Sequence, residues 1–307
     1  MSSQPSEARL RGLARRFGVS GAVKSTSRLR GYDLVRRHYY SAIPDLVAVP
    51  PGAWTRESEL DGLDFDPAAQ LEFVETELAG ALAEYSPPLE PTGSRRDFYL
   101  ANTFYEQVDA ETLYAMVRRF SPRRVVELGS GMSTLVIADA RRAAGAADGE
   151  HLVFDPFPRP DLRPELERLA ELRPLPATEV PVAEFERLEA GDVLFVDTTH
   201  TVKIAGDVNR IVLEVLPKLA PGVFVHFHDI FLPWEYPREF LEERSFFWAE
   251  QYLLQAFLAF NREFEILFSA HALQRCYPER LAELVPSASP AVRPSAFWLR
   301  RDEPVPS

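Results

Sequence analysis

The chain has 307 residues, with 34 Lys and Arg against 46 Asp and Glu, a formal net charge of −12. Hydrophobic residues make up 46% and charged residues 26%, the proportions of a globular chain with a sizeable core. No apolar run reaches the roughly 18 residues of a membrane-crossing helix, the stretch through Lys24 lacks the apolar centre of a secretory signal, and the single cysteine, Cys276, excludes an internal disulfide and a multi-cysteine zinc site.

These features predict a cytoplasmic protein with no membrane partner. Residues 1–40 read as a basic arm: residues 1–38 hold nine Lys/Arg and two acids, a local +7 (9 − 2), which leaves −19 (−12 − 7) for the rest. Positive charge confined to one tail argues against a nucleic-acid partner, which wants a basic stripe across the body. Residues 41–108 form an N-terminal cap segment, broken by Pro and Gly around one helical stretch, PAAQLEFVETELAGALAEY, whose Leu71, Phe73, Val74, Leu78 and Leu82 recur at helical spacing. Arm and cap are the candidate contacts of a homo-oligomer.

From 109 to 303 strand and helix patterns alternate, which predicts an α/β fold: a Rossmann-like, seven-stranded, mostly parallel sheet with helices on both faces. The strands are RRVVEL (123–128), HLVFD (151–155), LRPLPA (172–177), DVLFVD (192–197), GVFVHFHD (222–229), EFEILFS (263–269) and SAFWLRR (295–301), the last two an antiparallel addition. Helical segments between them include STLVIADARRAA, PELERLAEL, VNRIVLEVLPKL and WAEQYLLQAFLAF.

In such sheets ligands bind at the carboxyl ends of the strands. After the first strand, Glu127-Leu128-Gly129-Ser130-Gly131-Met132-Ser133-Thr134 offers two glycines for a tight turn, with Ser130 or Ser133 to cap the next helix. Thr134 stands where a dinucleotide fingerprint has its third glycine, which weakens a pyrophosphate site. An acid two positions before the first glycine suits an ammonium-bearing ligand. Asp155, at the tip of the second strand, suits ribose hydroxyls. Asp197-Thr198-Thr199-His200 follows the fourth strand, and His226-Phe227-His228-Asp229 ends the fifth. Asp197, His228 and Asp229 are thereby a candidate set for Mg²⁺, Mn²⁺ or Fe²⁺, and His200 a candidate general base. The alternative is a hydrogen-bonded polar pocket, with His226 a core histidine. The aromatic loop Phe231–Pro237 reads as an acceptor wall or as packing. Asn102, Tyr105 and Asp109 read as acceptor-site residues or as a helix start.

Together Glu127–Thr134, Asp155, Asp197–His200 and His226–Asp229 resemble a class I S-adenosylmethionine-dependent methyltransferase, over roughly residues 100–301. The stretch from Asp192 to Pro237 is similar to a bacterial small-molecule branch. Catechol-type and macrolide-sugar O-methyltransferases are better-understood relatives. The resemblance implies that Glu127 binds the methionine amino group, directly or through water, that Gly129, Ser130, Gly131 and Ser133 underlie the cofactor, and that Asp155 holds the ribose. It implies that the loop around Glu179-Val180-Pro181 neighbours the adenine. It also implies a divalent metal on Asp197, His228 and Asp229, with His200, three positions past the first acid, as base. His228 departs from the pattern, since those relatives carry Asp or Glu there. The function implied is metal-assisted O-methylation of a small-molecule acceptor, a sugar or natural product. Nicotinamide-dependent oxidoreduction on the same fold and a non-catalytic cofactor-binding role are the competing readings.

Overall fold

A computed structural model describes residues 39–93, 97–146 and 148–303. The first 38 residues, and with them nearly all of the expected basic arm, lie outside the described residues. The chain divides into two compact units, Met1–Val49 and Pro50–Ser307. In the first, residues 39–49 run through turns, with the Ala48 and Val49 amides donating to the Asp45 carbonyl. The second unit joins residues 50–108 of the expected cap to the strands that follow, so the cap segment is not a separate body from Pro50 onward.

That unit is built on seven strands: β1 (Arg124–Leu128), β2 (Glu150–Phe154), β3 (Glu171–Arg173), β4 (Val193–Val196), β5 (Phe224–Phe227), β6 (Phe264–Ser269) and β7 (Phe297–Arg301). Their order is β3-β2-β1-β4-β5-β7-β6. The first five are parallel, while β7 runs antiparallel to both β5 and β6. β3 starts one residue before the expected run and stops at Arg173, because Pro174 and Pro176 have no N–H to extend the ladder. The helix before it accordingly ends at Leu169.

Strand alternation divides the core between two faces. Val125, Val193, Phe195, Phe224 and Trp298 face one side, with the helices Asp109–Phe120 and Met132–Ala143 and the contiguous turns Pro67–Phe73, Val74–Leu78 and Ala79–Glu84. Val126, Leu128, Leu194, Val196, Val225 and Phe227 face the other, against Val208, Ile211, Val212 and Leu254. Both faces of the central strands are covered, which is why they read as unbroken apolar runs. The expected helix after β4 forms as three short pieces, Asp207–Arg210, Ile211–Val215 in π geometry and Leu216–Lys218 in 3-10 geometry, where Pro217 tightens the last turn. Among the described residues, no helix is long and apolar enough to cross a membrane.

Candidate active site

The carboxyl ends of β1, β2, β4 and β5 open onto three contiguous cavities. The first, about 490 Å³, lies over the β1 and β2 tips and is lined by Gly129, Ser130, Asp155, Thr178 and Asp197. A central cavity of about 360 Å³ shares Ser130, Asp197, Thr198 and Thr199 with it. An outer cavity of about 490 Å³ shares Thr103, Phe104, His228, Asp229, Arg244 and Trp248 with the central one.

The turn after β1 is fixed by backbone demands. Gly129 sits at φ +92°, and a Cβ there would stand 2.1 Å from the Asp197 carbonyl oxygen, so only glycine fits. Gly131, at φ +155°, has open space where a Cβ would point and lines the central cavity. Its N–H donates to Thr134 Oγ1 at 3.1 Å, and that hydroxyl donates to Glu127 Oε1 at 3.1 Å. Thr134, in place of a third glycine, therefore ties the loop to the strand below it. Ser133 Oγ donates to the same carboxylate at 2.6 Å, and His151 Nε2 meets Glu127 Oε2 at 3.0 Å. Glu127 is fully buried, with both oxygens taken by its own chain, and it lines none of the three cavities. In this position it braces the loop from beneath. Ser130 Oγ donates to Asp155 Oδ2, while Asp155 Oδ1 accepts from the Phe157 N–H at 2.7 Å. Asp155 thus stands at the β2 tip in the first cavity, and the loop after β3 reaches that cavity through Pro176, Ala177 and Thr178, slightly ahead of the expected Glu179-Val180-Pro181.

The β4 and β5 tips bring Asp197, His200, His228 and Asp229 together. His200 Nε2 lies 3.2 Å from Asp197 Oδ1 and 3.5 Å from Asp229 Oδ2, and its Nδ1 meets Glu250 Oε2 at 2.8 Å. His228 Nδ1 lies 3.7 Å from Asp197 Oδ2 and 3.6 Å from Asp229 Oδ2, with Nε2 3.4 Å from Asp109 Oδ2. Each imidazole therefore turns one nitrogen to the aspartate pair and the other to a buried carboxylate. Among the described residues, Asp197, His200 and Asp229 each offer a ligand atom within 4.8 Å of the others. His200 and Asp229 hold left-handed backbone, φ +53° and +59°, the strain expected where a strand end is turned to aim its side chains.

The electrostatics follow from this crowding. Burial opposes charge on His200, but hydrogen bonds to Asp197 and Glu250 outweigh it, and the ring's pKa is raised to about 10. His228 is raised likewise: burial is overcome by Asp229, Asp109 and Asp197. Burial would raise the Asp197 carboxyl, yet the two imidazoles hold it well below the usual range. Burial, eased only partly by His200, raises Glu250.

Residues flanking this centre divide into those that line it and those that frame it. His226 is a core histidine, fully buried between Phe195 and Trp298, with Nε2 3.3 Å from Tyr105 Oη. Burial lowers its pKa well below the ordinary value, so it stays neutral. Asn102 closes a turn: its amide donates to the Tyr99 and Tyr105 carbonyls, both at 2.7 Å. Asp109 does not cap its helix. It accepts from the Ser295 and Ala296 amides, and it lines the outer cavity beside His228. In the aromatic loop, Phe231 and Pro237 line the outer cavity. Trp234 and Tyr236 pack inward, the indole donating to Glu57 Oε1 at 3.1 Å. Sequence reasoning missed Glu250, Trp248, Arg244 and His151. For His151 a signal existed, since alternation in HLVF places it on the face of β2 that neighbours Glu127.

The profile of a family described as a methyltransferase domain matches residues 126–230, the span from β1 to just past β5. The matched span lies within the sheet whose order is given above, and over those residues the chain is similar to a methyltransferase domain. The chain is 29% identical, over 184 residues, to an uncharacterized protein of Archaeoglobus fulgidus, covering 54% of this chain and 82% of that protein. Solved structures similar to it include the SAH-bound methyltransferase PaMTH1 of Podospora anserina, at 15% identity and a TM-score of 0.40, covering 78% of this chain and 89% of that one. Another is the Bacillus cereus O-methyltransferase in complex with SAH, at 13% identity and a TM-score of 0.39, covering 78% and 93%.

Proposed function

We propose that this chain is a cytoplasmic enzyme that methylates a hydroxyl oxygen of a small-molecule acceptor, with a divalent cation at the β4–β5 tips. The observation that carries this reading is the convergence of Asp197, Asp229 and an imidazole nitrogen within 4.8 Å, where the central and outer cavities meet. The first cavity, with Asp155 at the β2 tip, suits the ribose end of S-adenosylmethionine. Residues 109–303 form the cofactor-binding domain, and Thr103 and Phe104 bring the preceding segment to the acceptor side.

The donor set fits a cation such as Mg²⁺ or Mn²⁺. Two carboxylates face each other, and the His200 ring has its far nitrogen anchored on Glu250, the arrangement of a ligating histidine. Asp197, His200 and Asp229 would hold the ion. Bound there, it would lower the pKa of the acceptor hydroxyl. With a cation bound, the aspartate charge that raises His228 would be offset, and the neutral ring, which lines both cavities, would take the hydroxyl proton on Nδ1 while Asp109 orients it from Nε2. S-adenosylmethionine, held over Ser130 and Asp155, would supply the methyl group to that oxygen, its carbon–sulfur bond giving way to the new carbon–oxygen bond and S-adenosylhomocysteine being left.

This exchanges the roles expected from sequence. The other assignment, with His228 ligating and His200 the base, has its own support in the 3.7 and 3.6 Å approaches of His228 Nδ1 to the aspartates. Mn²⁺ titration followed by electron paramagnetic resonance separates the two: His200→Ala should weaken Mn²⁺ binding at least tenfold, while His228→Ala should keep it and slow turnover by about 10²–10⁴-fold. The opposite pattern restores the sequence-based roles. Full turnover in EDTA, together with no Mn²⁺ binding by the unmodified protein, would remove the metal altogether.

A further inference from the structure

Arg244 lies just past the short helix Arg238–Glu242 and lines both the central and the outer cavity. Its backbone is pinned: the Arg244 N–H donates to the Glu239 carbonyl at 3.2 Å, and the Phe246 N–H donates to the Phe240 carbonyl at 2.7 Å. The guanidinium rests over the rings of Phe240 and Phe246, with its carbon 5.7 and 6.0 Å from their centroids. Two other arginines line these cavities, and both are matched: Arg159 by Asp161 at 2.7 Å and Arg293 by Glu239. Arg244 has no carboxylate within 4.0 Å among the described residues, in a chain where acids outnumber bases 46 to 34.

A cation held over aromatic rings at a cavity wall, exposed and with Glu239 near enough to feel its charge but outside ion-pair distance, is prepared for an anion. The planar fork matches a carboxylate through two parallel hydrogen bonds, and prior stacking reduces the side-chain freedom lost on binding. The surrounding walls are aromatic, with Phe104 and Trp248 joining Phe231 and Phe240, and such faces suit a flat ring. We propose that Arg244 recognises the carboxylate of a ring-bearing acceptor, so that the substrate class is a hydroxylated aromatic or similarly flat acid. This rests on the acceptor reading of the outer cavity given above. The cofactor also carries a carboxylate, and Arg244 lines the central cavity with Ser130 and Gly131 as well as the outer one, so the titrations below include an arm that separates the two carboxylates.

Calorimetric titration of the full-length protein, saturated with S-adenosylhomocysteine, with 3,4-dihydroxybenzoate and with catechol compares the same ring with and without the carboxylate. The acid should bind at least tenfold more tightly. Arg244→Gln should erase that difference while leaving catechol binding unchanged, and Arg244→Lys should keep part of it. Equal affinity of the two rings in the unmodified protein, binding of neither, or a difference that survives Arg244→Gln would overturn the proposal. So would a tenfold loss of S-adenosylhomocysteine affinity in Arg244→Gln, which would assign the guanidinium to the cofactor's carboxylate. Failure of the unmodified protein to bind S-adenosylhomocysteine at all is read in a separate titration, and it strikes the methyltransferase reading rather than the assignment of Arg244.

Discussion

A carboxylate as buried as Glu250, 1% exposed, survives in a fold only with a partner, and its partner is His200. The link is reinforced through the backbone, because the His200 carbonyl accepts from the Ala249 and Glu250 amides at the start of the helix Glu250–Leu258. The pair fixes which His200 nitrogen faces the aspartates. Glu250→Gln keeps the shape but removes the charge, and it should lower methyl transfer by about 10–100-fold while S-adenosylhomocysteine affinity holds. Turnover equal to that of the unmodified protein would reduce Glu250 to packing. Asp197, His200, His228 and Asp229 were legible in the sequence because they sit at the ends of apolar runs, where chemistry in this kind of sheet collects. Glu250 was not. It lies in the run WAEQYLLQAFLAF, where an acid in a first helical turn reads as a solvated residue, and only the tertiary path of the chain brings it to His200. For Glu127 the motif position was plain, while its burial beneath the loop, with His151 and Ser133 as partners, was not.

At the scale of elements, the strand–turn–helix from Arg124 to Ala143 carries the tightest constraint. The Gly129 N–H donates to the Phe154 carbonyl, and the Asp197 N–H donates to the Leu128 carbonyl, so three strand tips are stitched around one glycine. Gly129→Ala would combine an unfavourable φ with a Cβ driven into the Asp197 carbonyl. The expected cost is about 3 kcal/mol or more, visible as a lowered urea midpoint and as lost S-adenosylhomocysteine binding. An alanine variant with unchanged midpoint and affinity would mean that the β1 and β4 tips are farther apart than described. β1, β2, β4, β5 and β7 were readable from the sequence because burial on both faces makes their apolar runs continuous. β3 was misplaced because its run, LRPLPA, holds two prolines that end the ladder rather than extend it. The π and 3-10 pieces after β4 have no periodic signature of their own, and they carry the same apolar pattern as an ordinary helix.

For the molecule as a whole, the described residues that line the cavities and form both core faces belong to the unit Pro50–Ser307. Deleting residues 1–38 should leave S-adenosylhomocysteine affinity within about twofold, and a loss beyond tenfold in a folded truncation would give the arm a role at the site. Global stability should also carry an acid-side signature from His271. This ring packs edge-on against Phe231 and Trp234, with Nδ1 donating to the Pro294 carbonyl at 3.2 Å. Burial lowers its pKa to about 4, although the Pro294 carbonyl pulls the other way. The unfolded chain protonates the same ring near pH 6.5, so between about 6.5 and about 4 the unfolded state binds the extra proton. The stability contributed by the neutral ring is complete above pH 6.5 and is lost as pH falls toward 4, by about 1.4 kcal/mol per unit at the steepest and about 3 kcal/mol in all. Urea unfolding of the unmodified protein and of His271→Gln across this range isolates the term from the carboxylates, which titrate in both. The unmodified protein should lose stability more steeply, by up to one proton's slope, and parallel curves would show that His271 is protonated as readily in the fold as outside it.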